Sequence, residues 1–162
     1  MRIGQSTDIH QLVEDRKLIL GGLEIEHNLG LLGHSDADVL LHVIAEAIIG
    51  GLGLGDIGAH FPDTDPKYNG ISSLKLLENV YDLMTSQGYE IGNVDSLVII
   101  ERPKLAPYIN IMRKNIAKAL KCDVSQINVK ATRGEKLGYI GREEGVMAQA
   151  VVLLKRSSKW KE

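Results

Sequence analysis

Two short segments of the chain carry residues that could bind one metal ion. Asp8 and His10 lie two positions apart in a β-rich stretch, and His42 lies in a later stretch with helical periodicity. Residues i and i+2 of a strand point to the same side, so Asp8 and His10 can present a carboxylate oxygen and an imidazole nitrogen together. A third ligand from His42 would leave a coordination position open, as in catalytic zinc sites. If the three side chains meet, the spacing predicts a metal enzyme.

The same residues also have ordinary structural interpretations. Asp8 and His10 could form the exposed polar edge of a sheet, and His42 could be a hydrogen-bonded helix histidine. The sequence alone leaves their convergence open. A closed site of thiolate ligands is excluded because Cys122 is the only cysteine, which also rules out an intrachain disulfide and favours a reducing, cytoplasmic compartment.

Composition narrows the classes of function. The 162 residues carry a formal net charge of −2, which gives no electrostatic footprint for nucleic acid or an anionic membrane. No uncharged apolar stretch approaches the roughly 18 residues of a membrane span, and the N-terminus lacks the apolar core of a signal peptide. The length favours a single domain over residues 1–155, followed by a polar tail at 156–162.

The elements that would position these side chains follow from periodicity. The N-terminal strand is expected at the edge of a sheet, and Gly21-Gly22 between two apolar runs predicts a hairpin of 17–20 with 23–25. Ser35 with Asp38 three residues later resembles a capping box, which predicts a helix over about 36–50 that ends at Gly50-Gly51.

Later segments alternate between helical and extended patterns. Helices are predicted over 72–87 and 107–120, and strands over 94–100, 127–132 and 146–154. This order predicts an α+β fold: a mixed β-sheet with helices packed on one face, plus an N-terminal hairpin.

Glycine-rich and carboxylate-rich loops offer further candidates. The segment 50–58 follows a helix and lacks Gly-Lys-Ser/Thr, so it meets neither the Rossmann nor the P-loop pattern. The following segment, 60–66, is either a surface loop with Asx turns or a loop whose carboxylates bind ligand hydroxyls. The stiff segment 102–107 could read a base edge through its backbone.

A strand end at 130–136 combines Thr132, Arg133 and Glu135. Thr and Arg suit phosphate oxygens, and Glu suits a hard cation such as Mg²⁺ bound together with phosphate. The alternative is a charged hairpin tip without a ligand.

Several of these motifs occur in an order and at a spacing that resemble the 2-C-methyl-D-erythritol 2,4-cyclodiphosphate synthase family of the non-mevalonate isoprenoid pathway. The resemblance runs from Met1 to about Lys155. The stretches that carry it are Asp8-Ile9-His10, 30–42, 55–58, 61–66, 128–132, 135–138 and Gly141-Arg142.

The resemblance implies a reaction and its cofactors. The 2-phosphate of 4-diphosphocytidyl-2-C-methyl-D-erythritol 2-phosphate would attack the β-phosphorus, releasing CMP and the 2,4-cyclodiphosphate, so the enzyme would be a phosphorus–oxygen lyase. Asp8, His10 and His42 would hold Zn²⁺, and Glu135 would hold Mg²⁺ or Mn²⁺. Substrate contacts are implied for Asp8, His10, His34, Ser35, Asp56, Ile57, Gly58, Phe61, Asp63, Asp65, Ile100, Pro103, Lys104, Leu105, Ala106, Thr132, Arg133 and Glu135.

The resemblance also implies an assembly and catalytic positions. The family forms homotrimers with active sites between subunits, and Tyr139 and Arg142 would face a central cavity that takes isoprenoid diphosphates. His34 and the residue at position 133 would act in catalysis. The family usually carries a run of threonines at 132–134, and this chain has Arg133 where the second threonine is expected.

Two alternatives remain open. One is a zinc-dependent phosphohydrolase that uses bound hydroxide on a nucleoside diphosphate substrate. The other is a non-catalytic sensor of isoprenoid diphosphates that uses Arg142, and the loss of the threonine run is the feature that favours it.

Overall fold

The structure, a computed structural model, describes residues 1–62 and 70–158. Within these ranges the chain forms seven strands and five helices. In chain order they are β1 (Arg2–Val13), β2 (Leu18–Leu20), β3 (Leu23–Ile25), β4 (Gly30–Leu31), α1 (Val39–Leu52), α2 (Ile57–His60), α3 (Ser73–Ser86), β5 (Tyr89–Ile99), α4 (Ile109–Ala119), β6 (Ile127–Thr132), α5 (Gly138–Gly141) and β7 (Gly145–Arg156).

Five strands form one mixed sheet in the order β4-β1-β7-β5-β6. β1 and β5 each run antiparallel to β7, whereas β6 runs parallel to β5. The register aligns Ile9, Met147, Ile99 and Thr132 in one row across four strands. The end of β1 that carries Asp8 and His10 therefore lies at the same end of the sheet as the end of β6.

The helices α1, α3 and α4 cover one face of this sheet, as the sequence predicts. Alternate residues of β7, including Ala148, Ala150 and Val152, are buried against α1. Burial of such a continuous apolar layer is the main contribution to the stability of a fold of this kind. On the opposite face Ile3, Ile9 and Val151 have exposed fractions of 72%, 50% and 47%, so no described element covers that face.

A close approach of α1 to β1 sets the position of His42. A Cβ atom at Gly4 would lie 1.7 Å from the carbonyl oxygen of Ala47, so only glycine allows this contact. Two residues along the strand, Ser6 donates a hydrogen bond to Glu46 at 3.1 Å. The helix runs back along the strand from this contact, and the next residues to meet are Asp8 and His42.

The predicted start and end of α1 are wrong. Asp38, not Ser35, caps the helix, because its carboxylate accepts from the amide of Leu41 at 3.1 Å while Ser35 accepts from Ala37 in the preceding turn. Gly50 and Gly51 continue the helix, which ends at Gly53 with a left-handed φ of 76°.

The other predicted elements lie where the periodicity indicated, with ends shifted by a few residues. The N-terminal strand is not the edge strand that we expected, because the short β4 pairs with the end of β1 at Leu12 and Val13. β5 begins earlier than predicted, and β7 continues through Arg156, so the first residue assigned to the polar tail is part of the sheet. β2 and β3 pair antiparallel through Gly21 and Gly22, which have φ values of 60° and 70°. Among the residues that the structure describes, no helix combines the length and apolar character needed to cross a membrane.

Candidate functional site

Asp8, His10 and His42, hereafter the triad, converge at the end of β1. The Oδ2 atom of Asp8 lies 3.0 Å from Nε2 of His10 and 3.8 Å from Nδ1 of His42. One ligand atom from each residue lies within 4.8 Å of the other two. The side chains are 14% to 32% exposed, so the group is shielded yet reachable. The three residues can therefore bind one metal ion.

The orientation of His10 is set by a backbone carbonyl. Its Nδ1 lies 2.9 Å from the carbonyl oxygen of Ala37, which can only accept, so Nδ1 carries the hydrogen. Ala37 has a φ of 60°, a conformation that alanine rarely adopts. The remaining nitrogen, Nε2, is directed at Asp8 and would bind a metal ion in its unprotonated form.

The orientation of His42 is set by two serines. Its Nε2 lies 3.1 Å from the hydroxyl oxygens of both Ser35 and Ser73. The Ser73 hydroxyl donates to Asp36, so it can only accept from His42, which places the hydrogen on Nε2. The Ser73 amide also donates to Asp36 at 3.0 Å. The Nδ1 atom of His42 is thereby left free to bind a cation.

The electrostatics of the triad favour positive charge beside the Asp8 carboxylate. Burial alone would raise the pKa of Asp8, but hydrogen bonds with His10 and His42 outweigh it and hold that pKa well below its usual range. Burial would lower the pKa of His10, and the hydrogen bond with Asp8 outweighs it and raises that pKa. An ionised carboxylate with two imidazole nitrogens is a donor set that fits Zn²⁺ with an open position.

A cavity of about 230 Å³, hereafter the triad cavity, opens beside these residues. Four further residues with predicted substrate contacts line it beside the triad, namely His34, Ser35, Ile57 and Phe61. The residues that line it are His10, Gly33, His34, Ser35, His42, Ile57, Phe61, Ile71 and Leu76.

Two other predicted residues of this region, Asp56 and Gly58, do not line this cavity. Asp56 caps α2 by accepting from the amide of Ala59 at 2.9 Å, and Gly58 is exposed within that helix. Asp63 and Asp65 lie outside the described residues.

A second cavity, of about 390 Å³, lies between the ends of β5 and β6 and the start of α4 and is hereafter the β5–β6 cavity. It gathers seven of the residues that the resemblance assigns to substrate contacts, and Ile109 and Ala131 also line it. The predicted residues that line it are Ile100, Pro103, Lys104, Leu105, Ala106, Thr132 and Arg133.

The two cavities have no lining residue in common. β1 and β6 are separated by three strand spacings, roughly 14 Å across the sheet. Glu135, the predicted ligand of a second cation, is exposed in the loop after β6 and lines neither cavity. Within one chain, the predicted site is therefore divided into two parts.

The predicted central-cavity residues lie in and after α5. Tyr139 is on α5, and its buried hydroxyl has no hydrogen-bond partner within the described ranges. Arg142 follows α5 and forms two hydrogen bonds with Glu144, at 2.8 and 3.1 Å.

The sequence contains no indication of the residues that position the side chains of the candidate site. Arg16 donates to the carbonyl oxygens of Leu31, Gly33 and Ser35 at 3.1 to 3.2 Å, which fixes the loop that carries His34 and Ser35. Ser73 and Asp36 fix His42 in the same way. These contacts join residues far apart in the chain, so no local pattern identifies them.

The sequence pattern indicates Asp38 as part of a capping box that begins at Ser35. It is fully buried and also accepts from the amide of Gly22 at 2.7 Å, which ties the β2–β3 turn to the start of α1. Burial raises its pKa to about 6, although hydrogen bonds from Gly22 and Leu41 oppose the rise.

Known proteins similar to this chain agree on one family. The YgbB family model matches residues 1–155. The 2-C-methyl-D-erythritol 2,4-cyclodiphosphate synthase of Syntrophotalea carbinolica is 63% identical over 98% of this chain and 96% of its own length.

Solved structures give the same result. The bifunctional IspDF of Campylobacter jejuni matches with a TM-score of 0.91 and 44% identity, over 96% of this chain but 42% of that longer chain. Plasmodium falciparum IspF, solved as a CDP complex, matches with a TM-score of 0.84 and 39% identity over 97% of both chains.

Proposed function

The chain belongs to the YgbB family, and we propose that it has the activity named for its curated relatives, that of a 2-C-methyl-D-erythritol 2,4-cyclodiphosphate synthase. It converts 4-diphosphocytidyl-2-C-methyl-D-erythritol 2-phosphate to the 2,4-cyclodiphosphate and CMP, a step of non-mevalonate isoprenoid precursor synthesis. The observation that carries the proposal is the convergence of Asp8, His10 and His42 beside a cavity lined by His34 and Ser35.

The reaction needs positioning more than proton transfer. The substrate carries its own nucleophile, an already anionic oxygen of the 2-phosphate. This oxygen forms a bond to the β-phosphorus, while the bond from that phosphorus to the bridging oxygen breaks and CMP leaves with the bridging oxygen. Holding the chain in one reactive conformer provides the proximity effect, and exclusion of water prevents hydrolysis. Ile57 and Phe61 supply apolar walls for the triad cavity.

Asp8, His10 and His42 would hold Zn²⁺, which when bound neutralises charge on the diphosphate as a Lewis acid. The fixed hydrogens on His10 Nδ1 and His42 Nε2 support this assignment, because both free nitrogens face Asp8. His34 and Ser35 are next to the triad in the same cavity and would contact phosphate. Glu135 would hold Mg²⁺ or Mn²⁺ close to the phosphates.

The β5–β6 cavity would bind the cytidine. Ile100 and Leu105 form its buried wall, and the backbone of 103–106 is available to read the base edge. Lys104 and Arg133 add positive charge for the phosphates. The CDP complex of the Plasmodium falciparum relative supports a cytidine diphosphate ligand.

We assign the active enzyme to a homotrimer with its sites between subunits. The triad cavity and the β5–β6 cavity lie too far apart in one chain to share a contiguous pocket, so the triad of one subunit would face the β5–β6 cavity of the next. The uncovered sheet face with Ile3, Ile9 and Val151 supports an assembled form, since exposed apolar patches mark interfaces. Tyr139 and Arg142 would line a central cavity for an isoprenoid diphosphate.

The test is incubation of the zinc-loaded protein with the cytidyl substrate and Mg²⁺, followed by ³¹P NMR. CMP together with a cyclic diphosphate is the expected result. CMP with a linear product would identify a phosphohydrolase, and no turnover with zinc bound would favour a sensor. The cytoplasmic location expected from the single cysteine stays a prediction.

A further inference from the structure

Glu101 follows β5 and contacts the loop that follows β6. Its Oε2 atom accepts hydrogen bonds from the backbone amides of Gly134 at 3.1 Å and Lys136 at 3.4 Å. Glu101 is not among the residues that line the triad cavity or the β5–β6 cavity. A partly buried carboxylate that accepts from two amides 33 and 35 positions away joins two separate segments of the chain.

The loop at 133–137 has a shape that it would not adopt unaided. Glu135 and Lys136 are consecutive residues with side chains, and both have left-handed φ values, of 53° and 62°. Residues with a Cβ atom rarely adopt this conformation, and it persists where surrounding contacts impose it.

Contacts on two sides of the loop provide that constraint. A Cβ atom at Gly141 would lie 2.1 Å from the carbonyl carbon of Lys136, so the loop lies directly against α5. On its other side the loop is bound by Glu101. The amide of Leu137 also donates to the carbonyl oxygen of Gly134 at 2.9 Å, which closes the turn over the two left-handed residues. Removal of Glu101 would leave them held by this one turn hydrogen bond and by the contact with α5.

The loop carries two of the side chains that the proposed function assigns to the phosphates. Arg133 lines the β5–β6 cavity, and Glu135 is two residues further on. Within the described part of the chain, Arg133 has no hydrogen-bond or ion-pair partner, so its direction follows from the loop backbone. The neighbouring Arg102 is bound to Glu143 through two hydrogen bonds, at 2.9 and 3.0 Å.

We propose that Glu101 is a positioning residue for the diphosphate of the substrate. By holding the amides of Gly134 and Lys136, it keeps Arg133 at the β5–β6 cavity, where the phosphates follow the cytidine, and fixes the backbone that carries Glu135. The proposal rests on the proposed function for the identity of the ligand. The hydrogen bonds between Glu101 and the loop are present in the free protein, so their effect can be measured without substrate.

The structural test is hydrogen–deuterium exchange of peptides that cover 132–138 in the free protein. Glu101→Gln keeps an acceptor at the same reach, whereas Glu101→Asp keeps the charge but withdraws the oxygens by one methylene. We expect exchange within threefold of wild type for Gln and at least about tenfold faster for Asp and Ala, confined to this segment. Glu78→Ala, at a half-exposed glutamate of α3 that pairs with Lys75, is the matched control, and peptides 132–138 should exchange as in wild type.

The kinetic test separates positioning from general stability. In Glu101→Ala we expect kcat to fall about tenfold to a hundredfold, because the phosphate contacts are misplaced, while the affinity for cytidine, which lacks the diphosphate, changes less than about threefold. Glu101→Gln should keep the wild-type kcat, and Glu101→Asp should not.

Three results would overturn the role of Glu101: unchanged exchange at 132–138 in the Ala variant, a Gln variant as impaired as Ala, or faster exchange in every peptide of the Asp variant. If Glu101→Ala does not fold, the comparison of Glu101→Gln with Glu101→Asp still tests the role of Glu101. A wild-type protein without cyclase turnover would refute the proposed function, and the exchange result on the free protein would still decide whether Glu101 holds the loop.

Discussion

The two parts of the candidate site are held in place by different means. The triad lies on a strand and a helix, and the second nitrogen of each histidine is bound to a partner fixed by its own hydrogen bonds. The loop after β6 has no regular structure, and two of its residues have left-handed φ values. One turn hydrogen bond, the carboxylate of Glu101 and contacts with α5 hold it.

This difference indicates where the chain can vary. At the triad, a changed ligand alters a donor set whose geometry is already determined by β1 and α1. In the loop, remote contacts set the backbone, so a side chain can change while its direction is kept. Arg133 and Gly134, which replace the threonines expected from the resemblance, lie in the loop.

The largest effect is expected when the triad loses a ligand. His42→Ala removes one of three donors, and we expect turnover to fall by at least about 10³-fold, since charge neutralisation by a bound cation contributes several kcal/mol. Bound zinc, measured by mass spectrometry, should fall with it. His27→Ala is the matched histidine control. Full zinc content and activity in the His42 variant would remove His42 from the site.

The next largest effect is expected at the start of α1, the helix that carries His42. Asp38→Ala removes the cap of α1 and leaves the Gly22 amide without its partner, so we expect the free energy of unfolding to fall by about 3 kcal/mol. Urea denaturation measures this change. Asp82→Ala, with a side chain 72% exposed, should change stability little. A loss below about 1 kcal/mol for Asp38→Ala would show that the cap is dispensable.

A smaller effect is expected one step away from the triad. Ser73→Ala removes an acceptor from His42 Nε2 and the link to Asp36, so zinc affinity should fall about 10- to 100-fold with little change in stability. Competition with a chromophoric chelator measures the affinity. Ser86→Ala on the same helix is the control. If both variants bind zinc alike, the orientation of His42 comes from the packing of α1.

The smallest effect is expected in the loop. Arg133→Ala removes a cation from the β5–β6 cavity, and kcat/KM should fall about tenfold, with the loss reduced at high salt because ions screen the attraction. Steady-state kinetics at two ionic strengths measure both effects. Lys118→Ala on α4 controls for net charge. Unchanged kinetics in the Arg133 variant would exclude this residue from the mechanism.

Much of the fold followed from local patterns. The alternation of helices and strands predicted the mixed sheet, and the spacing of Asp8 and His10 predicted two ligands on one face of a strand. The predicted start of α1 is wrong because Ser35 and Asp38 have the form of a capping box. The carboxylate of Asp38 instead caps the helix itself and also reaches Gly22, a contact that no local rule contains.

The sequence by itself determined which donor types the chain offers, on which faces they lie and which family the chain belongs to. Period-two and helical patterns, and ordered motifs, are local properties of the chain. The tertiary structure decided that His42 meets Asp8, which nitrogen of each histidine is free, and that the site is divided between two cavities. These outcomes depend on contacts such as Gly4 with Ala47, Ser73 with Asp36 and Glu101 with Gly134, which join residues distant in the chain.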